Sequence, residues 1–184
     1  MKKAIIAISI ASALLLPLVG QAQTAKKISL GVSGGGSLPI GDLGNGTDPG
    51  YTVAGHVFFR PASFDKAMLR ADVSYDSWKA SVLGADYTRS SLGVTGNVLL
   101  SVGGDGSTTG LYLLGGGGMF RSAFSGLVGI GPSSVSATDP GVQGGAGVQF
   151  ALSGFSTFAE VKVVNVFGDG GSARYIPITF GVRF

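Results

Sequence analysis

The segment Thr157-Phe-Ala-Glu-Val-Lys-Val163 decides the fold, because apolar residues alternate in it with the charged Glu160 and Lys162. Side chains of a β-strand point to opposite faces in turn, so this segment predicts a strand with one apolar and one charged face. Leu69-Arg-Ala-Asp-Val-Ser-Tyr75 repeats the pattern, and residues 89–98 follow it too. The protein is therefore expected to consist of strands whose two faces meet different surroundings.

Eight segments of this kind follow one another between turn residues. They are 27–38, 51–60, 67–77, 86–100, 109–121, 141–152, 155–166 and 174–184. Glycine supplies 33 of the 184 residues while the mean hydropathy is positive, which disfavours both long helices and disorder. The length suits one domain. The predicted fold class is all-β, an eight-stranded antiparallel up-and-down β-barrel.

Residues 1–22 are typical of a cleaved secretory signal peptide. Two lysines precede an apolar run, Ala4–Leu16, and Gly20-Gln-Ala22 provides a small-x-small cleavage site. The apolar run is shorter than the ~20 residues that a membrane-spanning helix needs. Residues 23–184 are therefore expected to form the barrel.

Charge and cysteine content exclude several functions. Without the two leader lysines, eleven basic residues face ten acidic ones, so no basic surface for a nucleic acid remains. The absence of cysteine excludes disulfides and thiolate chemistry. One histidine and scattered carboxylates predict no metal site and no cofactor. The glycine runs Gly34–Gly36 and Gly115–Gly118 lack the Lys-Ser/Thr of phosphate-binding loops, and close strand packing explains them.

The connections indicate a membrane barrel. Alternation alone cannot distinguish it from a soluble barrel, which has the same pattern with inside and outside exchanged. Long connections are expected at one end and short turns at the other, as in extracellular loops and periplasmic turns. The long ones are Pro39–Gly50, Lys79–Ala85 and Ser122–Pro140; the short ones are Pro61–Lys66, Val102–Thr108 and Ser153-Gly154.

Aromatic residues near the predicted strand ends fit the interfacial girdles of a membrane barrel. They are Tyr51, Phe59, Tyr75, Phe120, Phe150, Phe155 and Phe184. The C-terminal segment Tyr175–Phe184 places Ile176, Ile178, Phe180, Val182 and Phe184 on one face and ends on an aromatic residue.

This ending resembles that of outer-membrane barrels, whose last strand alternates apolar residues and ends in Phe. The resemblance extends to the outer-membrane protein β-barrel domain family, which includes small OmpX-like barrels. The similar stretches are Ser37–Leu43, Leu69–Tyr75, Leu113–Gly118, Gly144–Phe150 and Ile176–Val182.

The resemblance implies an outer-membrane location in a Gram-negative-type bacterium. It implies that Phe180, Val182 and Phe184 act as a signal for the barrel-assembly machinery, with periplasmic chaperones acting during export. Outer-membrane lipids and lipopolysaccharide are the expected partners, and a monomer is the expected state.

The polar faces should meet inside the barrel. An eight-stranded barrel is just wide enough to be filled by side chains, and buried charges persist when they are paired. The candidates for such a network are Arg70, Asp72, Arg89, Glu160 and Lys162. A structural plug is the first interpretation, and a narrow ion or proton path is the alternative.

His56, the only histidine, has no hydroxyl residue two positions further along its strand, so it is interpreted as a lumen histidine bonded to a neighbouring strand. The leading hypothesis is thus a non-enzymatic barrel with a structural or surface-contact function. Any specificity would lie in its extracellular loops, the longest of which, Ser122–Pro140, is expected to extend the sheet. A lipid-modifying enzyme, a channel and a soluble lipocalin-like carrier remain alternatives.

Overall fold

The protein is a closed β-barrel. The computed structural model describes residues 28–61, 66–82, 85–102, 109–128, 131–168 and 171–184, so the predicted signal peptide lies outside them. In these ranges eight antiparallel strands each pair with their neighbours in sequence, and the first pairs with the last. The strands are β1 (Ile28–Ile40), β2 (Gly50–Phe59), β3 (Ala67–Val82), β4 (Ala85–Val102), β5 (Thr109–Val128), β6 (Gly131–Ala151), β7 (Ser156–Gly168) and β8 (Gly171–Arg183). A 3-10 turn, Gly41–Gly44, follows β1.

All eight predicted strands are present, and the predicted fold class is confirmed. The largest difference concerns the connections between strands. Strands β5 and β6 remain paired as far as Val128 and Gly131, so Ser122–Pro140 is mostly a two-stranded extension of the sheet. Strands β3 and β4 are likewise paired as far as Val82 and Ala85. The expectation that Ser122–Pro140 extends the sheet agrees with this pairing, whereas the long loop predicted at Lys79–Ala85 was wrong, because β3 and β4 satisfy each other's backbone groups by continuing the ladder.

The apolar faces of the strands form the outside of the barrel. On β7, Val161 is 46% exposed whereas Glu160 is 4% exposed. The same alternation holds on β3, where Val73 is exposed and Asp72 is buried. Alternate positions of each strand thus face the lumen or the outside, and positions of the first kind are said to have lumen parity. An apolar exterior around a polar interior is the arrangement of a membrane barrel. Within the described ranges, no helix is long and apolar enough to cross a bilayer.

Exposed aromatic residues mark both ends of the apolar belt. At the upper end, defined as the end with the β5–β6 extension, the rings of Tyr51 and Tyr75 lie 6.3 Å apart on the outer surface. The lower end carries outward-facing Phe59, Phe150, Phe155 and Phe184. The prediction for Phe120 was wrong, because its side chain is only 1% exposed and lies inside the barrel. In the alternation of β5, Phe120 occupies a position whose side chain points into the lumen.

Apolar side chains fill the lumen at two levels. The upper apolar cluster consists of Leu43, Trp78, Phe120, Val164, Val166 and Tyr175. The lower apolar cluster consists of Phe58, Met68, Leu99, Tyr112, Leu114 and Phe158. Buried polar residues of β2, β3, β4, β6 and β7 occupy the level between them. The described lumen is therefore closed by side chains above and below its polar layer.

Glycines allow the wall to curve tightly. A Cβ atom on Gly116, which has the lumen parity of β5, would overlap the carbonyl oxygen of Gly96 and the Oδ1 of Asn97. A Cβ atom on its neighbour Gly115, which faces outward, would meet nothing within 4 Å. The glycine run of β5 thus serves close strand packing on its inner side.

We predict that Gly116→Ala destabilises the barrel by about 1–3 kcal/mol, because the added methyl group must displace backbone atoms of β4. Gly115→Ala is the matched control and is expected to leave stability nearly unchanged. Urea unfolding of both variants in detergent micelles, followed by tryptophan fluorescence, measures the difference. Equal urea midpoints for the two variants would contradict the interpretation that Gly116 is needed for close packing of β4 against β5.

Candidate functional site

Arg70 is the centre of the polar layer. Its Nη1 and Nη2 atoms donate to Glu160 Oε2 and Oε1 at 2.7 and 3.0 Å, a bidentate geometry. Its Nε lies 2.8 Å from Asp72 Oδ1 and 3.1 Å from Asp72 Oδ2. Strands β3 and β7 are four positions apart in a ring of eight, so the Arg70–Glu160 pair joins opposite walls. Such charge-assisted pairs are the strong class of hydrogen bond.

Both carboxylates also accept a hydrogen bond from a second residue. Asn97 donates to Asp72 Oδ2 at 2.9 Å, and Tyr112 donates to Glu160 Oε2 at 2.9 Å. Lys162 Nζ lies 3.7 Å from Glu160 Oε1. Four of the five predicted network residues, Arg70, Asp72, Glu160 and Lys162, are thus brought together.

Two amides extend this layer around the wall. Gln143 on β6 donates to Asn97 Oδ1 at 2.6 Å and to Thr95 Oγ1 at 2.9 Å. The network predicted from the sequence consists of charged residues only, so Gln143, Asn97 and Thr95 are not among its candidates. The alternation of side chains along β4 and β6 could have identified these residues, because it places them on the faces that point into the lumen.

Arg89 lies apart from this layer. Its guanidinium carbon is 4.3 Å from the centre of the Phe124 ring, in the upper part of the barrel where β4 pairs with β5. Nearby Arg121 is exposed on the outer face, which places this level above the apolar belt. Partial burial lowers the pKa of Arg89, but an arginine stays charged at neutral pH. Arg89 therefore has the predicted lumen parity without reaching the network.

His56 connects Ser33 to Asp72. Its Nδ1 donates to Asp72 Oδ1 at 2.8 Å, and its Nε2 lies 2.8 Å from Ser33 Oγ, which donates to it when the ring is neutral. The histidine was expected to bond a neighbouring strand, and it bonds both β1 and β3. Sequence reasoning missed Ser33, because a search along the strand of the histidine cannot find a hydroxyl supplied by the next strand.

The order serine, histidine, aspartate at these distances is that of a hydrolase triad. The surroundings of Ser33, His56 and Asp72 differ from those of a catalytic triad. Asp72 is also bound by Arg70, and the histidine ring packs 5.6 Å from the ring of Phe158 in the lower apolar cluster. The Ser33 backbone belongs to the β1 ladders with β2 and β8. Stabilisation of an oxyanion requires aligned donors, and ladder N–H groups already have partners.

The structure also bears on metal binding. Among the described residues, no group of three or more His, Cys, Asp and Glu side chains is arranged to hold a metal ion. The polar layer is instead a set of buried charges that bond one another. Such a set is costly to bury and strongly destabilised by loss of one member.

The fold is similar to those of several solved proteins. Neisserial surface protein A is 18% identical and has a TM-score of 0.64, with 88% of this chain and 98% of that chain covered. A major outer membrane protein from Thermus thermophilus is 12% identical with a TM-score of 0.60, covering 85% and 98% of the two chains. Ail, the attachment invasion locus protein of Yersinia pestis, is 17% identical with a TM-score of 0.52, covering 85% and 97%.

The chain has the fold of a small outer-membrane β-barrel. No model of a known protein family and no curated protein sequence matches it. The fold expected from the resemblance to OmpX-like barrels is thereby confirmed on structural grounds.

We predict that Arg70→Met destabilises the barrel by about 3–5 kcal/mol, because two buried carboxylates lose their cation. Arg89→Met is the control, since it removes an arginine that stacks on one aromatic ring and is expected to cost about 1 kcal/mol or less. The temperature at which the compact electrophoretic band disappears would rank the variants. A smaller loss for Arg70→Met than for Arg89→Met would show that the network does not stabilise the barrel.

Proposed function

We propose that the protein is a non-enzymatic barrel of the outer membrane that supports the envelope and presents its β5–β6 extension at the cell surface. The observation that carries this proposal is the combination of an apolar exterior with a lumen filled at three levels by side chains. Among the described residues, side chains close the lumen above and below its polar layer, which favours a plugged barrel over an ion channel or a lipocalin-like carrier. His56, which lies in this filling, is only 3% exposed, which argues against a lipid-modifying enzyme.

The β5–β6 extension is the part that rises above the apolar belt. Phe124 and Val135 are exposed on it, 41% and 69% respectively, and they face each other across the strand pair. Arg121 donates to Ser136 Oγ at 3.4 Å on the same hairpin. Arg121 lies on the opposite, outer face of this hairpin, and the cation beside the apolar pair is Arg89, 4.3 Å from the Phe124 ring. Exposed apolar residues next to a cation suit contact with another surface, of which lipopolysaccharide is the nearest. Specificity in the proposed function lies in this hairpin.

The experiment that tests the proposal reconstitutes the refolded chain in lipid vesicles and in planar bilayers. The expected result is stable insertion, seen as a heat-dependent mobility shift, with no stepwise conductance. If the protein floats with the vesicles but produces regular conductance steps, the barrel is a channel and its lumen is not plugged. A protein that stays soluble without detergent would remove the membrane location altogether.

The C-terminal residues are proposed to direct assembly. Phe180 and Phe184 face outward, 71% and 56% exposed, and the Phe184 N–H donates to Leu30 O at 2.8 Å. These residues end the strand that closes the barrel against β1. A machinery that recognises the last strand would find an exposed aromatic edge there.

We predict that Phe184→Ala lowers the amount of assembled barrel in cells several-fold while the purified chain still refolds in detergent. Phe150→Ala is the matched control, because it removes an exposed ring from the same lower girdle. The measurement is the amount of protein in isolated membranes whose electrophoretic mobility changes on heating. Equal losses for both variants would indicate a general effect of the girdle rather than a signal.

A further inference from the structure

Two arginines lie at the lower mouth of the barrel, beneath the polar layer. Arg183 on β8 and Arg60, which follows directly after β2, both have lumen parity. They are close enough for their charges to repel each other. Among the residues that the structure describes, neither guanidinium forms an ion pair with a carboxylate. Two like charges are thus held together at one end of a narrow barrel.

Neutral groups hold Arg183 in place. Its Nε donates to Ser29 Oγ at 2.9 Å, and its Nη1 lies 3.5 Å from both Met68 Sδ and Gln149 Oε1. Its guanidinium carbon is 5.0 Å from the centre of the Phe58 ring. Within the described ranges, its Nη2 has no hydrogen-bond partner. The charge of Arg183 is therefore fixed in position without being neutralised.

A cavity of about 120 Å³ adjoins these arginines. Its floor belongs to the lower apolar cluster, and its polar lining comes from three strand ends. The apolar lining includes Met68, Leu99 and Tyr112, and the polar lining consists of Arg60, Ser101 and Gln149. Because Arg60 and Ser101 are exposed, the cavity opens to water at the lower mouth. It has room for roughly four water molecules of about 30 Å³ each, which is also enough for a phosphate group.

We propose that this cavity binds a phosphate group between Arg60 and Arg183. Guanidinium groups match phosphate oxygens in both charge and geometry. The hydroxyl of Ser101 and the amide nitrogen of Gln149 supply further donors, so donors approach one space from several sides of the ring. A tetrahedral phosphate accepts hydrogen bonds from several directions, whereas a carboxylate presents two oxygens in one plane. Bound phosphate also removes the repulsion between the two arginines.

The level of the cavity in the barrel defines two sources of phosphate. Phe59 and Phe184, the sequence neighbours of the two arginines, belong to the outward-facing rings of the lower end. Aromatic girdles of membrane barrels lie at the interface with the lipid headgroups. A lipid phosphate and a free phosphate are therefore both found at this level. The site lies at the end opposite the β5–β6 extension, so it is separate from the surface contact proposed above.

Phosphorus NMR of the full chain, refolded in an uncharged sugar detergent, tests the proposal directly. In one arm, inorganic phosphate is titrated while chloride keeps the ionic strength constant. In the other arm, a short-chain phosphatidylglycerol is added to the micelles in phosphate-free buffer. We expect the phosphorus resonance to shift or broaden with a concentration dependence that saturates as for one site. A response to inorganic phosphate assigns a free anion, a response to the lipid alone assigns a headgroup, and no saturable response in either arm would overturn the site.

Variants assign the response to the lower mouth. Arg60→Gln is expected to raise the half-saturating concentration of the responding phosphate about ten-fold, because it removes a hydrogen bond between charged groups. Arg60 is exposed, so this variant is expected to fold. Arg174→Gln is the matched control, since it removes an exposed arginine from the upper end and should retain the original value. An unchanged value in Arg60→Gln would overturn the site, and so would equal losses in both variants, which would indicate a general attraction of anions to the protein.

Discussion

The closure of β1 against β8 is the constraint on which the rest of the structure depends. In hydrocarbon, each backbone N–H and C=O group needs a partner within the protein, and a sheet meets this demand only when it has no edge. Closing the ring with eight strands makes it narrow. The narrow ring in turn requires glycine where strands approach closely, as at Gly116, and leaves a lumen that side chains must fill.

How the lumen is filled follows from the same narrowness. Apolar side chains close it at two levels, and between them Arg70 reaches from β3 to Glu160 on the opposite wall. An apolar filling of similar volume could be as stable, because buried ion pairs lose much of their attraction to desolvation. The Arg70–Glu160 pair instead adds structural specificity, because a bidentate contact fits only one relative position of β3 and β7.

The sequence predicted the parts of this architecture that depend on one strand at a time. Alternation in β3, β4, β7 and β8 identified the strands and the residues on each face, because the side-chain period is a local property of extended backbone. It also placed Arg70, Asp72, Glu160 and Lys162 together, since residues of one parity can meet only in the lumen.

Features that depend on several strands escaped prediction. The Ser33–His56–Asp72 arrangement needs the pairing of three strands, which no single segment encodes. Arg89 has the lumen parity but lies higher in the barrel, and height is set by register rather than by alternation. Phe120 was assigned to a girdle by its distance from a strand end, but β5 continues beyond that point. Its parity would have been the better guide.

The charged lumen face has a consequence for how the barrel reaches its membrane. A strand that slips by one residue exchanges its two faces, so a misaligned β3 would turn Arg70 and Asp72 toward lipid. An arginine at the bilayer midplane costs about 2–4 kcal/mol on a barrel surface. In a bilayer, a chain threaded in this way would therefore be less stable than the correctly aligned one. Besides joining opposite walls, the buried charges would thus help to select the register in which the strands pair.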